Sequence, residues 1–357
     1  MEDNEENVCR TMRLLHIIPS LEIGGAQRLL SDLLPLQQKQ ADVTLLVFRH
    51  ADNAFVQKIA TAGVKIICLD AGNVYDPLLV FRLRKYMKGY DVIHVHLFPA
   101  LYWAAFAARG LDAKLIFTEH STSNSRRGKR WLLPVERFVY GRYSQVVSIS
   151  PQAREALDGW LGREVSRHVI YNGIDVQAFA EAAEGVVPSD SIVMVSRFAP
   201  SKDHETLIRA MQHVRHDVKL RLVGDGPLLE KAAELAGALG LSHRIEFCGA
   251  ASDVAVHMAG AKVGVQSSHW EGFGLTAVEM MACGRPVLAS DVPGLKQVVE
   301  GAGLLFPAGD SKELARLIDT LLEDSGLYAQ TALRCSARAK EYDIAATAAG
   351  YWRIYNE

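Results

Sequence analysis

Two carboxylates eight positions apart, Glu271 and Glu279, bracket a glycine-bearing loop within residues 269–294, HWEGFGLTAVEMMACGRPVLASDVPG. A carboxylate accepts hydrogen bonds and donates none, so it suits the paired hydroxyls of a ribose or a sugar ring. Gly272 and Gly274 lack the Cβ atoms that would keep a diphosphate off the backbone. The apolar run 275–282 reads as a short helix, whose first N–H groups lack internal partners and carry partial positive charge, a setting that suits phosphate. A plainer reading uses the same letters. Thr276 and Glu279 have the spacing of a capping box, which would make Glu279 structural, and Glu271 could be a solvated loop acid. Cys283-Gly284 closes the helix, and 287–290 follows as a buried strand ended by the turn residues Asp291, Pro293 and Gly294.

Other residues could join that chemistry. Arg197 and Lys202 share one loop, RFAPSKD, after a strand-like run, where two cations could hold a leaving diphosphate. The alternative is a solvated surface loop. His94 and His96 alternate on a strand and so share a face. With His120 they could form the metal site of a hydrolase, or simply be satisfied strand-end histidines. Gly25 stands between a strand and a helix start, without the three-glycine dinucleotide fingerprint. Residues 126–133 run from basic (Arg126, Arg127, Lys129, Arg130) to apolar (Trp131, Leu132, Leu133). That suits either an interfacial patch for anionic lipid or a helix covering its sheet.

The string EGFGLTAVE, followed by a small-residue helix end, GRPVLASD and a Pro-Gly turn, resembles the signature of the family 4 retaining glycosyltransferases. The resemblance implies the GT-B fold: α/β, two Rossmann-like parallel-sheet domains facing across a cleft. It implies a nucleoside-diphosphate sugar, UDP- or GDP-linked, as co-substrate, with no metal and no other cofactor. Carried over, Glu271 lies against the transferred sugar, Glu279 holds the donor ribose, and Gly274 and Leu275 present backbone to the diphosphate. Arg197 and Lys202 contact the donor phosphates, Gly25 reaches toward the phosphates or the acceptor, and His120 sits beside the donor sugar. The Gly-Asp-Gly-Pro at 224–227 also matches the family. The acceptor implied is a glycan or lipid-linked sugar, in cell-surface polysaccharide synthesis. A metal-dependent hydrolase and a non-catalytic sugar-nucleotide-binding relative remain the rival classes.

The elements that must position these residues follow from length and pattern. A chain of 357 residues exceeds one ordinary core. Strand-like runs alternate with amphipathic stretches, as in parallel α/β sheets. One series runs over 13–18, 43–48, 64–69, 91–96, 115–118 and 146–150. A second runs over 192–196, 220–224, 245–249, 262–266, 287–290 and 304–306. The reading divides the chain into a polar leader (1–11), an acceptor domain (12–174, joined by a terminal helix, 341–357) and a donor domain (175–340). Residues 1–170 carry 22 Lys/Arg against 17 Asp/Glu, the remainder 17 against 24, so the first part suits an anionic partner. Five scattered cysteines without a Cys-x-x-Cys suggest free thiols in a reducing compartment, with Cys68 and Cys248 as core residues. No apolar run spans a bilayer and the acidic start is unlike a signal peptide, so the expected location is cytoplasmic, with no nucleic-acid partner.

Arg197, Lys202 and a helix N-terminus supply the positive charge a divalent ion would bring, and the sequence holds no Asp-x-Asp. Activity is therefore expected to survive EDTA. Loss in EDTA with return on adding manganese would contradict this.

Overall fold

The computed structural model describes residues 11–22, 24–122, 124–251 and 253–357. The expected leader, 1–11, lies outside them except for Thr11. The chain divides into two compact units, one of residues up to Ile170 with Thr347–Glu357, the other Tyr171–Ala346.

The first unit holds strands β1 (Arg13–Ile18), β2 (Asp42–Val47), β3 (Lys65–Cys68), β4 (Val92–His96), β5 (Lys114–Glu119), β6 (Gln145–Ser148) and β7 (His168–Val169). They pair in the order β3-β2-β1-β4-β5-β6-β7, every pairing parallel. The middle strands are near-continuous buried runs, as expected when both faces of a parallel sheet are covered. The helix Gly25–Gln38 buries Leu29, Leu30, Leu33 and Leu34, one stripe at helical spacing.

The second unit repeats the plan with β8 (Ser189–Val195), β9 (Lys219–Val223), β10 (Ile245–Gly249), β11 (Ala261–Gln266), β12 (Val287–Ser290) and β13 (Leu304–Phe306), ordered β10-β9-β8-β11-β12-β13. Its core gathers Ile192, Met194, Leu222, Val263, Leu288 and Ile318. Both sheets thus reverse strand order once, between β1 and β4 and between β8 and β11. Ligands of such sheets bind beyond the carboxyl ends of the strands at that reversal.

Two expectations change. Pro293 and Gly294 are not turn residues but open the helix Pro293–Val299, because proline's fixed φ and missing N–H suit a first helical position. Cys68 and Cys248 are only half-buried, on the outer strands β3 and β10; the buried thiols are Cys283 and Cys335. The four described cysteines are unpaired.

The end of the chain is fastened to the first sheet by polar contacts. Tyr351 and Tyr355 are buried. The Tyr351 hydroxyl lies 3.1 Å from Thr118 Oγ1, and that of Tyr355 lies 2.7 Å from His94 Nδ1 while accepting from Gln37 Nε2 at 3.1 Å. Tyr355→Phe would strand two buried polar groups, at about 1–3 kcal/mol. We expect a matching fall in denaturation midpoint, and an unchanged midpoint would contradict the contact.

Candidate functional site

In the second unit the chemistry-bearing residues collect where the strand order reverses. Arg197 follows β8, is exposed, and has no ion-pair partner among the described residues. Its loop is set by the turn after β9. Phe198 donates its N–H to Asp225 O (2.9 Å), and its carbonyl accepts from Leu228 N (3.1 Å). A Cβ at Gly226 would stand 2.5 Å from Phe198 O, so only glycine permits this approach. The Gly-Asp-Gly-Pro turn therefore shapes the Arg197 loop.

The other end of that loop is held by the segment after β11. Lys202 pairs with Glu271. His269 donates its N–H to Ser201 O (2.8 Å), and Ser267 Oγ donates to Asp203 O (2.9 Å). Asp203, at φ 44°, caps the helix His204–Ala210 by accepting from Thr206 N. The expected phosphate cation and the expected sugar-side carboxylate thus meet, each holding the other in place.

Gly274, at φ 89°, is the N-cap of the helix Leu275–Ala282, a backbone conformation that side chains resist. Thr276 consequently lies inside the helix. The Thr276–Glu279 capping box therefore does not form, and Glu279 is buried. Gly294 explains the distant Pro-Gly: its Cβ would sit 2.3 Å from Glu271 O, so the helix Pro293–Val299 presses on the Glu271 loop.

In the first unit, Gly25 is exposed and begins the helix after β1. His120 follows β5 and is drawn into a chain of imidazoles. Its Nε2 lies 3.0 Å from His96 Nδ1, and His96 Nε2 lies 3.0 Å from His16 Nδ1. Nitrogens of His16, His94 and His96 lie within 4.8 Å of one another, a spacing a metal could use. Yet His94 gives its nitrogens to Tyr355 and, at 2.8 Å, to Thr118 Oγ1, while His96 gives its two to His16 and His120. Of the hydrolase's trio, His94 and His96 thus have their lone pairs and protons spent on hydrogen bonds, and His120 has one nitrogen so engaged. Glu119, beside His120, accepts from Tyr140 OH (2.8 Å) and Ser121 and pairs with Arg127 (3.3 Å), fixing the loop beyond the strand.

The basic stretch 126–133 divides. Arg126 is bound to the buried Glu136 at 2.7 Å and lies over the Phe98 ring; Arg127 is bound to Glu119. Lys129 and Arg130 are exposed, next in sequence to Trp131 (74% exposed), and Phe138 (55% exposed) stacks on Phe106 further along the helix Leu133–Tyr140. Two of the four arginines and lysines are therefore structural.

Sequence reasoning passed over His16, Gln37 and Glu119. A polar His16 inside the apolar strand RLLHII was the available signal.

Comparison with known proteins bears directly on this arrangement. Residues 180–342 match the model for Glycosyl transferases group 1, and 23–178 match that for Glycosyltransferase Family 4. The chain is a glycosyltransferase of the family 4 type. The putative glycosyltransferase EpsF of Bacillus subtilis is 26% identical over 92% of this chain and 88% of that protein. A Campylobacter jejuni diphospho-undecaprenol 4-alpha-N-acetylgalactosaminyltransferase acting on N-acetylgalactosamine-N,N'-diacetylbacillosaminyl-diphospho-undecaprenol is 24% identical over 91% of this chain and 94% of its own. Anabaena Alr3699/HepE, in complex with UDP and glucose, superposes with TM-score 0.85 at 25% identity, covering 97% of this chain and all of that one. This glycosyltransferase thus shares the two-sheet GT-B architecture. No helix among the described residues is long and apolar enough to cross a membrane.

The histidine chain gives the glycosyltransferase an acid limit. Burial lowers His16 and His120 to about 3 and holds His94 and His96 well below their ordinary value. Unfolded, they titrate near about 6.5, so between about 3 and 6.5 the unfolded chain binds more protons. Their contribution to stability is complete above about pH 6.5 and is lost as pH falls toward about 3. The melting temperature should already decline between about pH 7 and pH 5, before carboxylates titrate. A flat profile there would contradict burial of neutral imidazoles.

Proposed function

We propose that this enzyme transfers a hexosyl group from a nucleoside-diphosphate sugar, UDP- or GDP-linked, to a glycan or lipid-linked acceptor with retention of configuration. The observation that carries the reading is convergence. Arg197, Lys202, Glu271 and the Gly274-capped helix all stand at the carboxyl ends of the neighbouring strands β8 and β11, where the strand order reverses. Cations, helix N–H groups and carboxylates in one place match the phosphates and hydroxyls of a nucleotide sugar. UDP bound to Anabaena Alr3699/HepE gives further support.

In this reading Arg197, Lys202 and the backbone of Gly274 and Leu275 take the diphosphate, Glu279 the ribose, and Glu271 and His120 the sugar. Gly25 belongs to the donor contacts of the first unit. Charge on the departing diphosphate grows as the glycosidic bond breaks, and fixed cations stabilise it without reorganising. The resulting oxocarbenium-like sugar is attacked from the face the leaving group vacates, with Glu271 positioning it rather than bonding to it. A panel of nucleotide sugars, read by release of nucleoside diphosphate, tests this. One donor should turn over, and Arg197→Ala or Lys202→Ala should lower kcat roughly 10²–10³-fold. Near-normal kcat in both variants would remove these residues from the mechanism.

Glu279 offers a finer test. Glutamine keeps its size but has one acceptor oxygen and no charge. Glu279→Gln is expected to weaken donor binding about tenfold or more, since hydrogen bonds to charged groups contribute roughly 1.5–3 kcal/mol. Unchanged affinity would make Glu279 purely structural.

The exposed Trp131 next to exposed Lys129 and Arg130 favours a second element, docking on an anionic lipid surface near the lipid-linked acceptor. Replacing Lys129, Arg130 and Trp131 by Ala should abolish sedimentation with anionic vesicles and leave donor turnover unchanged. Persisting vesicle binding in that variant would exclude this surface.

A further inference from the structure

Phe273 is the only side chain between Glu271 and Leu275, because a glycine stands on each side of it. Gly274 lies at φ 89°, and glycine backbone of this kind holds one shape only where something anchors it. The buried Phe273 ring supplies an anchor. It packs on two tyrosines: Tyr171 at 5.9 Å between centroids, and Tyr342 at 5.2 Å, nearly edge-on at 83°. The tyrosines also meet each other, at 5.8 Å and 84°. Three rings thus close a triangle at separations and angles that aromatic pairs favour.

Both tyrosines stand where the chain passes from one unit to the other. Tyr171 is the first residue of the second unit, and Tyr342 comes just before its last, Ala346. These two passages are bonded to each other. Ile174 donates its N–H to Tyr342 O (3.0 Å), and its carbonyl accepts from Ile344 N (2.8 Å), with Ile174 and Asp343 forming a parallel bridge. A helix leaves each passage, Val176–Ala183 and Ile344–Asn356, so the ribbon is short and fixed at both ends. Tyr342 reaches the loop by a second route. Its hydroxyl donates to Gln297 O (3.4 Å) in the helix Pro293–Val299, whose Gly294 abuts Glu271 O. One ribbon side chain therefore touches both the ring of the loop and the helix behind it.

We propose that Phe273, Tyr171 and Tyr342 are positioning residues that couple the loop 271–274 to the ribbon joining the two units, so that a nucleoside diphosphate held by the loop also orders the ribbon. The ligand's part rests on the donor reading proposed above; the ring triangle rests on this unit's geometry alone. A ligand that fixes Gly272 and Gly274 fixes the ring between them. The ring passes that restraint to Tyr171 and Tyr342, and so to the backbone bonds of Ile174 and Ile344. By linkage, an ordered ribbon favours the ligand by the same factor. Leucine at any corner of the triangle keeps apolar burial but loses the ring-to-ring geometry.

Amide hydrogen exchange of the full chain, with saturating UDP or GDP and without nucleotide, tests this at Ile174 and Ile344. A nucleotide that protects 272–277 should also slow these two amides about fivefold or more. In Phe273→Leu and Tyr342→Leu, saturating nucleotide should still protect 272–277 while the two ribbon amides keep their free rate. The nucleotide should bind those variants about fivefold more weakly. Tyr171→Leu changes an exposed residue, least able to disturb the fold, and should act in the same direction. Tyr342→Phe keeps the ring and should keep both ribbon protection and affinity. Protection of 272–277 with unchanged ribbon amides in the parent overturns the coupling and leaves the donor reading standing. Ribbon protection that persists in the leucine variants overturns the role of the rings. No response at 272–277 to either nucleotide overturns the donor reading, and the coupling with it.

Discussion

The close approach of two backbones at Gly226 and Phe198 O is the constraint on which the second unit's chemistry depends. It fixes one end of the loop that carries Arg197. The pairing of Lys202 with Glu271 and the bond from His269 N to Ser201 O fix the other. A long cation on a free loop would lose much of its electrostatic value in finding its ligand. In the proposed reaction, side-chain charges and helix N–H groups held in this way stabilise a transient charge without moving. The helix Pro293–Val299 presses on the same loop through Gly294, so residues far apart in the chain serve one small region.

The first unit is built differently. Its candidate residue, His120, is supported by a file of buried side chains rather than by backbone contacts. The terminal helix takes part, because Tyr355 accepts from Gln37 and faces His94. Buried polar networks of this kind are worthwhile only when nearly every atom is satisfied. Among the described residues the network's unsatisfied atoms are Gln37 Oε1, His16 Nε2 and His120 Nδ1, and in the proposed reaction the sugar meets His120.

Much of this was legible in the sequence because it depends on local pattern. The strands β1, β10, β12 and β13 fall where their apolar runs place them, and the alternation of strands with helices gave two parallel sheets. The loop-to-helix junction at Gly274 is likewise local, since a short glycine-bearing segment before an apolar run can form little else. What the sequence hid depends on which distant residues meet. Nothing near Gly226 announces that its missing Cβ makes room for Phe198, and nothing near Pro293 shows that it starts a helix against Glu271. Arg126 and Arg127 looked like free surface charge, but Glu136 and Glu119 claim them from other elements. His94 and His96 allowed two readings, metal ligands or satisfied histidines, and only the fold shows Thr118, Tyr355, His16 and His120 at their ring nitrogens.

The central claim is that a nucleoside diphosphate is held by the Gly274-capped helix and the Arg197–Lys202 loop. Amide hydrogen exchange, with and without saturating nucleoside diphosphate, tests it most directly, because the proposed contacts are backbone N–H groups. The account predicts slowed exchange at residues 272–277 and 197–203, with little change over the outer strands β10 and β13. Protection elsewhere, with 272–277 exchanging at its free rate, would contradict it.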